Sequence, residues 1–192
     1  MTDRQIEIIN ATLEIISENG IQELTVKKIA DKIGITDAAI FKHFKSKNDI
    51  FAGIIEVFKE DSTKMLEEII STSHTSFEKI KTFFLNRCQT FLKNRDLTSI
   101  LFSNDIFINN KAVLAKIDQI IENHRKLIAK SIVEGQSNGE IRKDVIPEHV
   151  FIIIMGSLRL LVTKWKSSNY SFDIYQEGES LWETLQTILK PI

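Results

Sequence analysis

Apolar side chains recur at three- and four-residue steps along most of this chain, which is the period of a helix rather than of a strand. Over residues 4–19, Ile6, Ile9, Leu13 and Ile16 share one face. Thr2 followed by Gln5 has the form of a capping box, and Asn19-Gly20 supplies a left-handed stop. A second, short helix is predicted over 26–33, with Thr25 as N-cap and Ile29, Ala30 and Ile33 as its apolar edge. Gly34 ends it. A third short helix is predicted over 37–44 behind Thr36, and Ser46 with Asp49 opens a long helix over 47–70. Two short helices separated by a tight glycine turn have helix-turn-helix spacing. Ile29, Ala30 and Ile33 can meet Ile35, Ile40 and Phe44 in a miniature core, closed by the helix of residues 4–19.

The periodicity continues to the end. Phe77, Ile80, Phe84, Cys88 and Phe91 form one stripe of a helix over 76–93. Residues 96–109 read as a short helix and a loop. Leu114, Ile117, Ile121, His124, Ile128 and Ile132 define a helix over 111–137, ended by Asn138-Gly139. Pro147 sits at the start of another, where its missing N–H is harmless, and a last helix covers 173–189. The expectation is an all-α chain of about nine helices: a three-helix unit over 1–46, and a helical body over 47–192. The helix of 147–165 is apolar nearly all round, so it requires cover on all faces. Its own domain and a second copy of the chain would supply that cover. Phe151, Ile154, Leu158, Leu161, Leu181 and Leu185 are the candidate interface residues.

Composition narrows the function. The 192 residues carry 25 Lys+Arg against 26 Asp+Glu, and 43% are hydrophobic. Those are the values of an ordinary globular protein with ample core, and they exclude a disordered chain. Two prolines and seven glycines are few for a multi-stranded β fold. A single cysteine, Cys88, excludes an intrachain disulfide and fits a cytoplasmic setting. The start of the chain is charged and amphipathic, unlike a signal peptide, and the apolar stretch 150–162 is short and holds Arg159, so no membrane span is expected. His43, His74, His124 and His149 are scattered without metal-ligand spacing. With no catalytic constellation and no glycine-rich phosphate loop, neither an enzyme nor a cofactor is expected.

Charge is distributed unevenly. Between residues 25 and 47, Lys27, Lys28, Lys32, Lys42, Lys45 and Lys47 face only Asp31 and Asp37, a net of +4 that leaves −5 elsewhere. A basic unit on an acidic body suits DNA, whose phosphates supply the salt-dependent part of affinity; the same lysines could also merely solubilise helix faces.

The stretch LTVKKIADKIGITDAAIFKHFKSKNDIFAGII, Leu24–Ile55, resembles the N-terminal domain of the TetR/AcrR family of bacterial transcriptional regulators. The Thr before the first short helix, the Ile-Ala pair, the Gly, the aromatic-x-x-Phe end of the recognition helix and the Lys-x-x-hydrophobic start of the next all fall at the family's spacing. The resemblance implies a homodimer on a palindromic operator, acting as a repressor and released by a small hydrophobic or cationic effector. It implies that Thr25 and Thr36 meet phosphates with their hydroxyls and helix-start N–H groups. Ala38, Ala39 and Lys42 would face the major groove, Phe41 and His43 would lie on the backbone, and Lys47 would take a phosphate. Ala39 and Phe41 lack hydroxyls that the family often carries there. Lys42 is then the candidate for reading a base edge, while Ala38 and Ala39 suit thymine methyls. Phe84, Cys88, Phe91, Phe102, Phe107 and His124 are the candidate lining of an effector pocket, each equally readable as ordinary core. Two other classes remain open: a regulator that answers to a protein partner, and a helical small-molecule-binding protein without operator control.

Overall fold

A computed structural model of the protein describes residues 1–72, 74–102 and 110–191. Its α-helices are α1 (Asp3–Asn19), α2 (Val26–Lys32), α3 (Asp37–Phe41), α4 (Lys47–Ser71), α5 (Ser76–Lys93), α6 (Arg95–Leu101), α7 (Lys111–Asn138), α8 (Pro147–Ser167) and α9 (Ile174–Leu189). A single 3-10 turn, Ile21–Glu23, follows α1. The described residues contain no strand, so the fold is all-α as the periodicity predicts. Phe107 and most of the loop expected before residue 110 lie outside the described residues.

The chain forms two compact units. Met1–Asp61 and Asn94–Asp118 make the first, and Ser62–Lys93 and Gln119–Ile192 the second. In the first, α1 packs on α2 and α6, and α2 packs on α3. Ile8, Ile9, Ile15, Ile16, Leu24, Ile29, Ala30, Ile40, Phe44 and Ile50 are all buried there. Thr2 completes its capping box with Gln5. Gly34 (φ +68°) ends α2: its N–H donates to the Asp31 carbonyl, and the Ile35 N–H donates to the Ala30 carbonyl at 3.0 Å. This reversal aims the chain from α2 into α3 within four residues. Gly53 on α4 leaves room for the Phe44 ring, because a Cβ there would lie 3.1 Å from it and 3.2 Å from Ile9.

Three local expectations are corrected. Gly20 has positive φ but ψ 159°, outside the left-handed helical region, so α1 ends in another glycine-favoured conformation before the chain tightens into the 3-10 turn. The third helix ends at Phe41 rather than at residue 44. The His43 and Phe44 N–H groups both donate to the Ile40 carbonyl, so the chain winds tightly here before Ser46 caps α4 through the Asp49 N–H at 3.2 Å. The last helix begins one residue late, because Asp173 is spent as its cap.

In the second unit α5, α8 and α9 pack on one another. Gly178 lets α9 approach α5, since a Cβ at that position would meet the Cys88 sulfur at 2.7 Å. The first N–H groups of α5 are held from afar: the Glu140 carboxylate accepts from the Ser76 N–H at 2.8 Å and from that of Phe77 at 3.4 Å. Helix α8 buries Phe151, Ile154, Leu158, Leu161 and Trp165 within the unit. Its other side carries Ile152 (64% exposed), Ile153 and Leu160 (70% exposed), with Gly156 between them facing open space. Phe151, Ile154, Leu158, Leu161 and Leu185 fill the chain's own core and Leu181 is half-buried, whereas the apolar side chains left in water on α8 and α9 are Ile152, Ile153, Leu160 and Ile188.

Gly34→Ala forces an L-residue into the left-handed region and should destabilise the fold by about 1 kcal/mol. Denaturant unfolding of both proteins checks this, and an unchanged midpoint would contradict the geometry.

Candidate nucleic-acid interface

The site is built from two caps and one short helix. Thr25 Oγ1 accepts from the Lys28 N–H at 3.1 Å, and Thr36 Oγ1 from the Ala39 N–H at 3.2 Å. Each hydroxyl keeps its own proton to donate outward, and both threonines are exposed. Ile40 is fully buried and Phe44 nearly so, which fixes the rotation of α3. Ala38, Phe41 and Lys42 are consequently exposed, while Ala39 and His43 are half-buried. Lys47 reaches back across the unit, its ammonium donating to the Leu24 carbonyl at 3.3 Å. That bond brings a cation next to Thr25, so two candidate phosphate ligands 22 positions apart in sequence share one place.

The lysine count is less generous in three dimensions. Lys28 pairs with Glu23 at 2.9 Å, and Lys32 with Glu14 at 3.2 Å and Glu18 at 3.0 Å. Hydrogen bonds donated to Glu18 and Glu14 hold the Lys32 ammonium above its ordinary pKa, and the bond from Lys28 holds the Glu23 carboxyl below its own. Lys27, Lys42 and Lys45 are exposed and make no ion pair among the described residues. The cationic surface is thus concentrated at the α2 start and the α3 end.

The described candidate pocket residues of the second unit have different surroundings. Phe84 and Cys88 look toward α9, where Phe84 tilts against Trp182 at 6.2 Å and Cys88 abuts Gly178. Burial pushes the Cys88 thiol up to about 12, so it packs as a small apolar group and is not a reactive thiolate. Phe91 is buried and Phe102 half-buried. His124 faces a different set: its Nε2 hydrogen-bonds Ser62 Oγ at 2.8 Å, and its ring meets Phe83 edge-on at 4.8 Å. Burial, and then the charge of the buried Arg87, lower its pKa to about 3, so the ring is neutral. Sequence reasoning missed Phe83, Arg87 and Ser62. The signal was the i, i+4 spacing of Phe83 and Arg87 beside the main stripe of α5. Among the described residues no group of three His, Cys, Asp or Glu could hold a metal, and no helix is long and apolar enough to cross a membrane.

The sequence pattern of the bacterial regulatory proteins of the tetR family matches residues 8–54, and that of the YsiA-like protein C-terminal region matches residues 51–187. The chain belongs to the tetR family. It is a ligand-responsive DNA-binding regulator of transcription. This tetR-family chain is 27% identical to the fatty acid metabolism regulator protein of Bacillus subtilis over 185 residues, covering 95% of the chain and 93% of the relative. It is 24% identical to the nucleoid occlusion factor SlmA of Vibrio campbellii over 195 residues, covering 98% and 97%. Its structure superposes on that of the Bacillus subtilis regulator FadR in complex with stearoyl-CoA with a TM-score of 0.76, at 27% identity, covering 94% of this chain and 96% of that one.

His124 gives the body of this tetR protein a pH signature. Its pKa is depressed in the folded state, so the unfolded chain takes the proton first. The stability it confers is complete above pH 6.5 and is lost as pH falls toward 3. Its share of the loss should be about 1.4 kcal/mol per pH unit between pH 6 and 4. Urea titrations of wild type and His124→Gln across that range should diverge by this slope; parallel curves would refute the buried neutral ring.

Proposed function

We propose that the protein is a repressor that binds a palindromic operator as a homodimer and leaves it on binding a fatty acyl-CoA. Residues 1–46 serve as the DNA-binding domain, and residues 47–192 bind effector and partner. The observation that carries the reading is the rigid outer face of α3, exposed at Ala38, Phe41 and Lys42 and anchored by Ile40 and Phe44. Thr25 and Lys47 hold one phosphate of the backbone, Thr36 and His43 position the helix, and Ala39 and Lys42 enter the groove. Recognition helices of the two copies then lie about 34–36 Å apart on one face of the duplex.

The acyl-CoA assignment is supported by the Bacillus subtilis relative, whose structure contains stearoyl-CoA. Release requires that the acyl-CoA bind the DNA-free state more tightly than the bound one. Selection of duplexes from a random pool, followed by salt titration and addition of stearoyl-CoA, tests the reading. Lys47→Ala should weaken all sequences alike and lower the salt slope by about 1, whereas Lys42→Ala should also change the selected sequence. Micromolar or weaker binding to every sequence at physiological salt would remove the regulator reading. Operator binding untouched by acyl-CoA would remove the effector assignment alone.

The homodimer forms through the exposed side of α8, where Ile152, Gly156 and Leu160 recur at four-residue steps and Gly156 admits a close helix. An apolar row left in water on a helix that already has a buried side is the mark of an association surface. Leu160→Asp should convert the dimer to monomer at micromolar concentration in sedimentation equilibrium, with the fold intact; a wild-type monomer would overturn this interface.

A further inference from the structure

The outer face of α3 is chemically unusual for a surface that reads bases. Successive residues on a helix are about 100° apart. With Ile40 directed into the core, Ala38 and Lys42 stand on the opposite side and Phe41 between them and the core. The exposures agree: Ile40 is wholly buried, whereas Phe41 is 50% exposed and Ala38 and Lys42 are exposed. A half-exposed phenylalanine on a five-residue helix is not needed by the core, which Ile40 and Phe44 already close. Phe41 also makes no ring contact among the described residues.

Phe41 has no donor and no acceptor. Laid against a phosphate, its ring would strip water from a charged oxygen and return no hydrogen bond, which is unfavourable. Ala38 is equally mute. In the major groove the one base feature that an apolar side chain can recognise is the thymine 5-methyl group. From this geometry we infer that Phe41 is a base-reading residue: together with Ala38 it recognises thymine methyl groups in each half-site, beside the base contacted by Lys42. This revises the backbone role that resemblance to the family implies for position 41, and it rests on the operator reading above. The specificity class follows. The half-site carries thymines under the two apolar side chains and an acceptor-rich base under the ammonium. Neither apolar contact depends on salt, so sequence preference and phosphate affinity reside on different residues.

The test uses the full-length dimer and its selected operator. Each thymine of one half-site is replaced singly by deoxyuridine, which removes the methyl and leaves the pairing unchanged. At the contacted thymines each replacement should weaken binding about fourfold, the value of one buried methyl-sized group. In Phe41→Ala the penalty at one of those positions should vanish while the others persist, a coupling that backbone contact cannot produce. Phe41→Leu, which keeps an apolar side chain, should retain most of it; circular dichroism and melting establish that both variants are folded. An operator insensitive to every deoxyuridine, or a Phe41→Ala protein that is weaker but has the same set of penalties, overturns the assignment and leaves operator binding standing. Failure to enrich any sequence overturns both.

Discussion

Burial of Ile40 and Phe44 decides what the N-terminal unit can do. A helix of five residues has almost no stability of its own. It exists here because one side chain is wholly buried where α3 packs on α2, and a second is buried one turn later. Gly53 makes the pocket for the second, and Gly34 sets the angle at which the first arrives. Once these two are seated, the outward directions of Ala38, Phe41 and Lys42 are no longer adjustable. On the proposed operator reading, specificity in this unit is a by-product of packing, since the face offered to DNA is whatever the core does not take.

The second unit is governed by a different balance. Its interior is dense with Phe83, Phe84, Trp165 and Trp182, yet Arg87, His124, Ser62 and Ser131 are buried in it too. Polar groups so placed cost stability unless their bonds are made. His124 lessens that cost by staying neutral and engaging Ser62 through Nε2, while its buried Nδ1 makes no hydrogen bond among the described residues. A body selected for stability alone would replace this polar seam with carbon. On the proposed reading, this seam lies in the part of the chain that takes the effector.

Most of the helices were legible because their period and caps are local: Thr2, Thr25 and Thr36 announce helix starts within three residues of the atoms they bind. What could not be read depended on partners distant in sequence. The lysine tally overlooked Glu14, Glu18 and Glu23, which lie outside the window yet hold Lys28 and Lys32. On α8 both sides are apolar, so periodicity could not say which meets the chain itself; the larger, continuous set with Phe151 and Leu158 is the inner one. His124 was visible as a polar residue on an apolar stripe, but its companions Phe83, Arg87 and Ser62 come from two other helices. A one-dimensional pattern ties together residues of one helix and nothing across helices.

The Glu140 carboxylate at the start of α5 bears on the order in which the body assembles. Two N–H groups in the first turn of α5 are held by a residue 64 positions beyond Ser76, while the third is held by Thr75 next to them. A chain emerging from the ribosome makes all of α5 and α7 before that carboxylate exists, and loop closure over such a separation is slow compared with helix growth. The Ser76 and Phe77 N–H groups thus gain their acceptor only when the polypeptide has passed residue 140, whereas the Glu78 N–H has Thr75 beside it from the start.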